Sequence, residues 1–265
     1  MGERMARWRV TAAGVAGNVM EWYDFAIYGF FAAAIGREFF PASDPSVSLL
    51  ASFGVFAVGF LARPLGGFIF GHIGDRFGRR TSLLISVAAM VLPTFLIGVL
   101  PGFATIGLLA PAAMVFLRLA QGIAVGGEYT SSVIYMVEHA GPGRRGFAGS
   151  LAVSSSVGGV LLGSAVATLL SAEIPAQALG AWGWRLAFLL GLPIALLALW
   201  LRRGLPESAA ESAGGGTPAN PIAEALRHEW PGMLRVFGLT ALNGISFYMM
   251  FVYITTYLPM VDGIP

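Results

Sequence analysis

Gly71-His72-Ile73-Gly74-Asp75-Arg76-Phe77-Gly78-Arg79-Arg80 is a short, strongly basic stretch between two long apolar segments. A loop this brief and this charged fits one setting, a tight turn clamped between two membrane-spanning helices. Glycine permits a sharp turn and close approach of helices. Arginine holds such a loop on the cytoplasmic side of a membrane. Asp75 stands at the exit of the first helix, where its carboxylate can pair with the arginines or cap a neighbouring helix. A soluble reading fails because the flanks are too apolar for a surface loop.

Composition points the same way. The 265 residues are 56% hydrophobic and only 11% charged, with a mean hydropathy of +0.75. An average soluble domain carries about 25% charge. The 36 glycines and 15 prolines suit spanning helices, in which both are more frequent than in soluble ones. There is no cysteine, which excludes disulfide frameworks, cysteine–zinc sites and thiol chemistry. All 16 basic residues are arginine and most stand in short inter-helix loops. The basic balance is therefore a topology signal, and no nucleic-acid partner is expected. Glu21 and Asp24 interrupt the first apolar segment, which argues against a cleaved signal peptide.

A spanning helix needs ~20 mostly apolar residues. Candidate spans fall at 10–35, 47–73, 81–100 with a kink at Pro93, 105–137, 147–171, 184–201 and 234–258. Residues 81–117 carry no charge and contain Pro101-Gly102, so they read as two helices joined by a tight external turn. Arg4, Arg7 and Arg9 precede the first span. Arg76, Arg79 and Arg80, then Arg144 and Arg145, then Arg202, Arg203, Arg227 and Arg235 fill alternate loops, against only Arg37 and Arg185 in the others. That bias sets the N-terminus in the cytoplasm. Residues 211–220 have the composition of a flexible linker, and Asn220-Pro221 reads as the cap and first residue of a short surface helix reaching Trp230. The expected domains are a six-helix bundle over 1–203, a cytoplasmic linker over 204–233, and one further helix over 234–265. Small residues at four-residue spacing, Gly67/Gly71, Gly122/Gly126 and Gly159/Gly163, suit close helix packing.

Five charges fall inside spans: Glu21 and Asp24 in the first, Arg63 in the second, Arg118 and Glu128 in the fourth. Each costs at least ~3 kcal/mol if unpaired, so such residues pair or line a wet cavity. Glu21, Asp24, Phe25 and Tyr28 share one helix face, with Asn18 one turn earlier. Asp24 and Arg118 each lie ~20 Å along their helices from the membrane surface, at 1.5 Å per residue. A carboxylate facing an arginine stays ionised; once an anionic substrate draws the arginine away, it takes a proton. Asp24 is thus the expected main proton site, with Arg118 its partner and Glu21 beside them. Arg63 and Arg118 suit a substrate with carboxylate groups, since arginine binds carboxylate bidentately. Glu128 either joins the substrate site or neutralises Arg63 or Arg118. Asn18, Tyr28 and Tyr129 complete the candidate substrate site, and Tyr135, Asn243, Tyr253 and Tyr257 are further donors. His72, His139 and His228 have no partner at metal-ligand spacing, so no metal or cofactor is expected, and no catalytic constellation supports an enzyme.

The opening stretch resembles the loop motif of the major facilitator superfamily between its second and third helices. Arg118-Leu-Ala-Gln-Gly122-Ile-Ala-Val-Gly126-Gly127 looks like the fourth-helix motif associated with proton coupling. The chain is most similar to the metabolite:proton symporters, through Gly17-Asn18-Val-Met-Glu21-Trp22-Tyr23-Asp24-Phe25-Ala-Ile-Tyr28-Gly29 and Arg63-Pro64-Leu65-Gly66-Gly67. Gly126-Gly127-Glu128-Tyr129, Arg145-Gly146-Phe147, Trp182-Gly183-Trp184-Arg185 and Pro206-Glu207-Ser208 continue the likeness. The resemblance implies a multi-pass symporter of the bacterial inner membrane, taking protons with organic acids such as citrate, 2-oxoglutarate or shikimate, or with zwitterions such as proline and betaine. By analogy with related sugar–proton symporters, Asp24 and Arg118 would be the coupling pair. The buried arginines favour a carboxylate substrate. Gly71, Asp75, Arg76, Gly78, Arg79 and Arg80 would form a gating loop that holds the outward-facing state, with Asp75 and Arg79 as its latch.

The family fold pairs two six-helix halves around a midplane site. This chain matches an all-α, truncated version: one half-bundle plus the first helix of the second. Transport would then require the missing half or a dimer partner. The other reading is a transport-incompetent remnant or regulatory half.

Overall fold

The structure, a computed structural model, describes residues 2–141, 143–205 and 226–248. Every regular element among them is helical. The chain divides into two units, Met1–Gly215 and Gly216–Pro265. The first contains α1 (Gly2–Phe30), α2 (Ala32–Phe39), α3 (Pro45–Phe77), α4 (Arg79–Val99), α5 (Phe103–Ile106), α6 (Leu109–Glu138), α7 (Arg145–Glu173), α8 (Ala176–Ala178) and α9 (Trp184–Arg203), the last entered through a π turn at Leu179–Gly183. The second contains α10 (Trp230–Tyr248). The expected linker at 211–220 and the Asn220-Pro221 cap lie outside the described residues, as does the end of the seventh expected span.

Among the described residues, five stretches are long and apolar enough to cross a bilayer: Pro45–Phe77, Arg79–Val99, Leu109–Glu138, Arg145–Glu173 and Ala176–Arg203. The first expected span is absent from these, because α1 carries arginines at its start and Glu21 and Asp24 in its middle. Its position explains that tolerance. α1 packs against α6, α7 and α9, and Met20, Tyr23, Ile27 and Tyr28 are inaccessible around its circumference. A helix surrounded by protein need not match the apolarity of lipid. The expected helix over 10–35 is broken at Phe31, beyond which α2 resumes. The expected turn at Pro101-Gly102 is longer than two residues, since α5 intervenes before Gly107 (φ 57°) and α6 starts at Leu109 rather than 105.

α3 shows how the lipid-facing helices work. Its buried residues are Ser48, Ser52, Val55, Gly59, Ala62, Gly66, Phe70 and Gly74, an inward stripe of mostly small side chains at helical spacing. The large ones, among them Leu50, Leu61, Leu65 and Phe68, are exposed, where a bilayer would cover them. Small inward residues let backbones meet. A Cβ at Gly122 would strike the Gly59 carbonyl, one at Gly126 the Arg63 carbonyl, and one at Gly66 the Ile123 carbonyl, so α3 and α6 are in backbone contact. Gly159 and Gly163 do the same for α7 against α1, at Val19, Trp22 and Ala26. The expected pair Gly67/Gly71 does not take part. Gly67 is at ordinary contact distance and Gly71 faces open space; the close approach uses Gly66 instead.

The basic loop is a single residue. α3 ends at Phe77 and α4 begins at Arg79, with Gly78 at φ 97° and ψ 145°, a region open in practice to glycine alone. Asp44 caps the other end of α3, accepting from the Ser46 amide at 2.8 Å beside Pro45.

Candidate functional site

Asp24 is the hub of a buried polar cluster. Its Oδ2 accepts from Arg118 Nη1 at 3.1 Å and Gln121 Nε2 at 3.0 Å, and its Oδ1 accepts from Thr94 Oγ1 at 2.9 Å. Arg118 Nη1 also donates to Gln121 Oε1 at 2.9 Å, and Gln121 Nε2 to Thr94 Oγ1 at 2.8 Å. Four side chains from α1, α4 and α6 thus form one closed network, and Asp24 and Arg118 are each 1% exposed. Gln121 follows Arg118 by three residues, which sets both on one face of α6. The Arg118 guanidinium lies 3.6 Å from the centroid of the Tyr28 ring, a cation–π contact. Tyr28 is fixed in turn by donating from Oη to the Ser52 carbonyl at 3.1 Å.

A second carboxylate–arginine pair lies beside the first. Glu21 Oε1 is 3.8 Å from Arg63 Nη2. Glu21 is fully buried, and neither of its oxygens has a hydrogen-bond partner among the described residues. The Arg63 side chain keeps 22% of its surface exposed and stands over the rings of Phe60 at 4.2 Å, Phe25 at 4.3 Å and Trp22 at 5.8 Å. Phe25, Phe56 and Phe60 pack edge-on or tilted, with centroids 4.9–5.6 Å apart, and Tyr28 stacks on Phe56 at 5.6 Å. An aromatic wall therefore joins the two arginines.

Glu128 pairs with neither Arg63 nor Arg118. It takes a bidentate bond from Arg202, Nη1 to Oε2 at 2.7 Å and Nη2 to Oε1, and Ser86 Oγ donates to its Oε2 at 2.6 Å. Arg202 also donates to the carbonyls of Leu83 at 2.7 Å and Ala13 at 3.2 Å. Both partners are 0% exposed. Arg202, which in sequence stands among the loop arginines, is a bundle-core residue that ties α9 to α1, α4 and α6. Arg235, grouped with it by position in sequence, lies within α10.

Asn18 turns away from the cluster. Its Nδ2 donates to the Ala152 carbonyl at 2.9 Å and to Ser155 Oγ at 3.1 Å, both on α7. Tyr129 is half-buried on α6 and Tyr135 is buried there. Asn243 lies on α10, and Tyr253 and Tyr257 lie outside the described residues. At the basic turn, Asp75 Oδ1 accepts from Arg79 Nη2 at 2.7 Å across Gly78. Arg80 Nη2 donates to the Arg203 carbonyl at 2.7 Å, binding the turn to the end of α9. Arg76 stands over its neighbour Phe77.

Sequence reasoning missed Thr94, Gln121, Ser86 and Arg202. Arg202 had a readable signal. Trp184, Phe188, Gly191, Ala195, Ala198 and Arg202 continue one buried stripe at three- and four-residue steps.

Residues 10–210 match the family model described as sugar (and other) transporter. The chain is 41% identical over 261 residues to a glycine betaine/proline/ectoine/pipecolic acid transporter of Dickeya dadantii, covering 94% of this chain and 52% of that protein. It is 40% identical over 259 residues to the alpha-ketoglutarate permease of Escherichia coli, covering 97% and 59%. The chain thus spans about half the length of the curated relatives it matches. Among solved structures, the xylose transporter of Escherichia coli in a partially occluded inward-open conformation superposes with a TM-score of 0.70 at 24% identity, covering 79% of this chain and 51% of that one.

Proposed function

The chain belongs to the sugar (and other) transporter family of the major facilitator superfamily, and we propose on that premise that its full-length form carries out proton-coupled symport of a small organic acid. The observation that carries this reading is the pair of carboxylate–arginine contacts buried side by side on α1, Asp24 with Arg118 and Glu21 with Arg63. A buried pair with no other task is a poor source of stability, because desolvation offsets its attraction. Two adjacent ones make better sense as exchangeable partners. An incoming carboxylate competes for an arginine, and the carboxylate left behind is neutralised by a proton. Substrate and proton then move together.

In this scheme Arg63 and Arg118 receive the anionic group, with Tyr28 and Tyr129 beside them. Asn18 fixes α1 to α7, and Glu128 fixes α6 to α9. A second half-bundle supplies the other wall of the site, and alternating access is the rocking of one half against the other. The basic turn faces the cytoplasm of a bacterial inner membrane, with the N-terminus on that side, and acts as the gate. Asp75 and Arg79 hold the turn closed on itself across Gly78.

One observation favours a zwitterionic osmolyte as the alternative cargo. The wall of Phe25, Phe56, Phe60 and Tyr28 offers aromatic faces that attract an alkylated ammonium, next to arginines that would take its carboxylate. Uptake of labelled 2-oxoglutarate, citrate, proline and betaine by the full-length form, with and without a proton uncoupler, tests both. Accumulation of an acid that collapses with the uncoupler supports the main reading. Accumulation unaffected by the uncoupler removes proton symport, and accumulation of betaine alone transfers the site to the osmolyte.

A further inference from the structure

We infer that Glu21, rather than Asp24, is the group that picks up and releases the transported proton, while Asp24 serves to hold Arg118 in place; this rests on the symport reading above. The two carboxylates differ in what surrounds them. Both oxygens of Asp24 are engaged, by Arg118, Gln121 and Thr94 at 2.9–3.1 Å. Each of those bonds is donated to the ionised form, so protonating Asp24 means surrendering at least one of them. Arg118 is itself clamped between Asp24, Gln121 and the Tyr28 ring and is 1% exposed. The Asp24 carboxylate is thus engaged at both oxygens, while Arg118 Nε and Nη2 have no hydrogen-bond partner among the described residues.

Glu21 has the opposite surroundings. It is 0% exposed, and both of its oxygens lack a hydrogen bond among the described residues. Arg63 approaches only to 3.8 Å, too far for a hydrogen bond. The charged and titratable groups acting on Glu21 from the elements packed around it are Arg63 on α3 and Glu128 and Tyr129 on α6. Glu128 is already committed to Arg202. Among the described residues Arg63 alone therefore compensates a charge on Glu21, and Arg63 is the one member of the two pairs with substantial exposure, so it is the arginine a substrate reaches first.

The proton balance follows. When Arg63 turns to a substrate carboxylate, a Glu21 oxygen forms an O–H bond with a proton delivered by water on the open side, and the site becomes neutral overall. When substrate departs on the other side, Arg63 returns, the O–H bond breaks and the proton leaves to water there. No other reactant is required.

Infrared difference spectroscopy of this chain in lipid vesicles, titrated with acid, reads the event without substrate. A protonated-carboxyl C=O band at the high frequency of a carboxyl without hydrogen bonds, distinct from the bands of exposed carboxyls, is expected to appear on titration, to vanish in Glu21→Gln and to persist in Asp24→Asn. Glu21→Asp should restore a titrating band, which separates loss of the proton site from misfolding. Such a band lost in Asp24→Asn and kept in Glu21→Gln overturns the assignment, as does the absence of any such high-frequency band in the unmodified chain. The uptake assay of the full-length form is independent: its failure would remove symport while leaving the protonating group identified.

Discussion

Glu128→Gln is the substitution whose consequence the structure specifies most fully. Gln keeps the shape of Glu and one acceptor for Arg202 or Ser86, but removes the negative charge. Arg202 would then sit at 0% exposure facing neutral acceptors, the carbonyls of Leu83 and Ala13 among them, with its counter-ion removed. Breaking one side of a buried ion pair costs about 3–5 kcal/mol. At roughly 2–4 °C per kcal/mol for a domain of this size, the melting temperature should fall by about 6–20 °C. The double variant Glu128→Leu with Arg202→Met removes both charges and refills the space. Such replacements of a whole pair are often neutral or better, so most of the loss should be recovered. The chain has no cysteine, so thiol-reactive dyes cannot report unfolding. Intrinsic fluorescence can, because Trp184 is fully buried in the same helix as Arg202. A single variant within about 1 kcal/mol of the parent, or a double variant no better than the single, would refute the view of this pair as a four-helix clamp.

Other substitutions probe separate links. Gly78→Ala places a side chain at φ 97° and should cost about 1–3 kcal/mol, read as a lower melting temperature. Gly126→Ala sets a Cβ into the Arg63 carbonyl and forces α3 from α6, so folded yield in detergent should collapse. Gly71→Ala meets nothing within 4 Å and should stay within about 0.5 kcal/mol; equal damage from both would mean that α3 and α6 are not in backbone contact. Tyr28→Leu removes the ring under Arg118, and loss of a desolvated cation–π contact, about 2 kcal/mol, should lower the melting temperature by roughly 4–8 °C.

The helical membrane fold is legible in sequence because long apolar segments separated by short arginine-bearing loops suit no soluble architecture. Hydropathy also sets the limits of that reading. Arg202 reads as a loop residue, since arginine at the end of an apolar run usually signals topology; only the stripe it extends shows that it points inward. Thr94 and Gln121 carry no charge and do not stand out inside apolar spans, although they engage Asp24 as directly as Arg118 does. Asn18 groups with Asp24 by a loose count of turns, yet six residues at about 100° each separate them by about 240° around the helix. It adjoins Glu21 in spacing but opens toward α7. The pairing of α1 carboxylates with α3 and α6 arginines depends on which helices become neighbours, and no local pattern encodes that.

The polarity of α1 also bears on how the chain enters a membrane. Asp24 is separated from Arg118 by 94 residues of sequence. At a synthesis rate of about 5–20 residues per second, roughly 5–20 s elapse between the emergence of the aspartate and that of its counter-ion. At the start of that interval α1 carries two uncompensated carboxylates at a cost of about 3 kcal/mol each in the bilayer centre; Arg63 follows first for Glu21, and Asp24 waits for Arg118. α1 leaves the ribosome ahead of its partners and is poorly suited to partition into lipid alone. Its stable insertion is completed only when α3 and α6 follow, which makes biogenesis of this bundle cooperative over the whole stretch from α1 to α6.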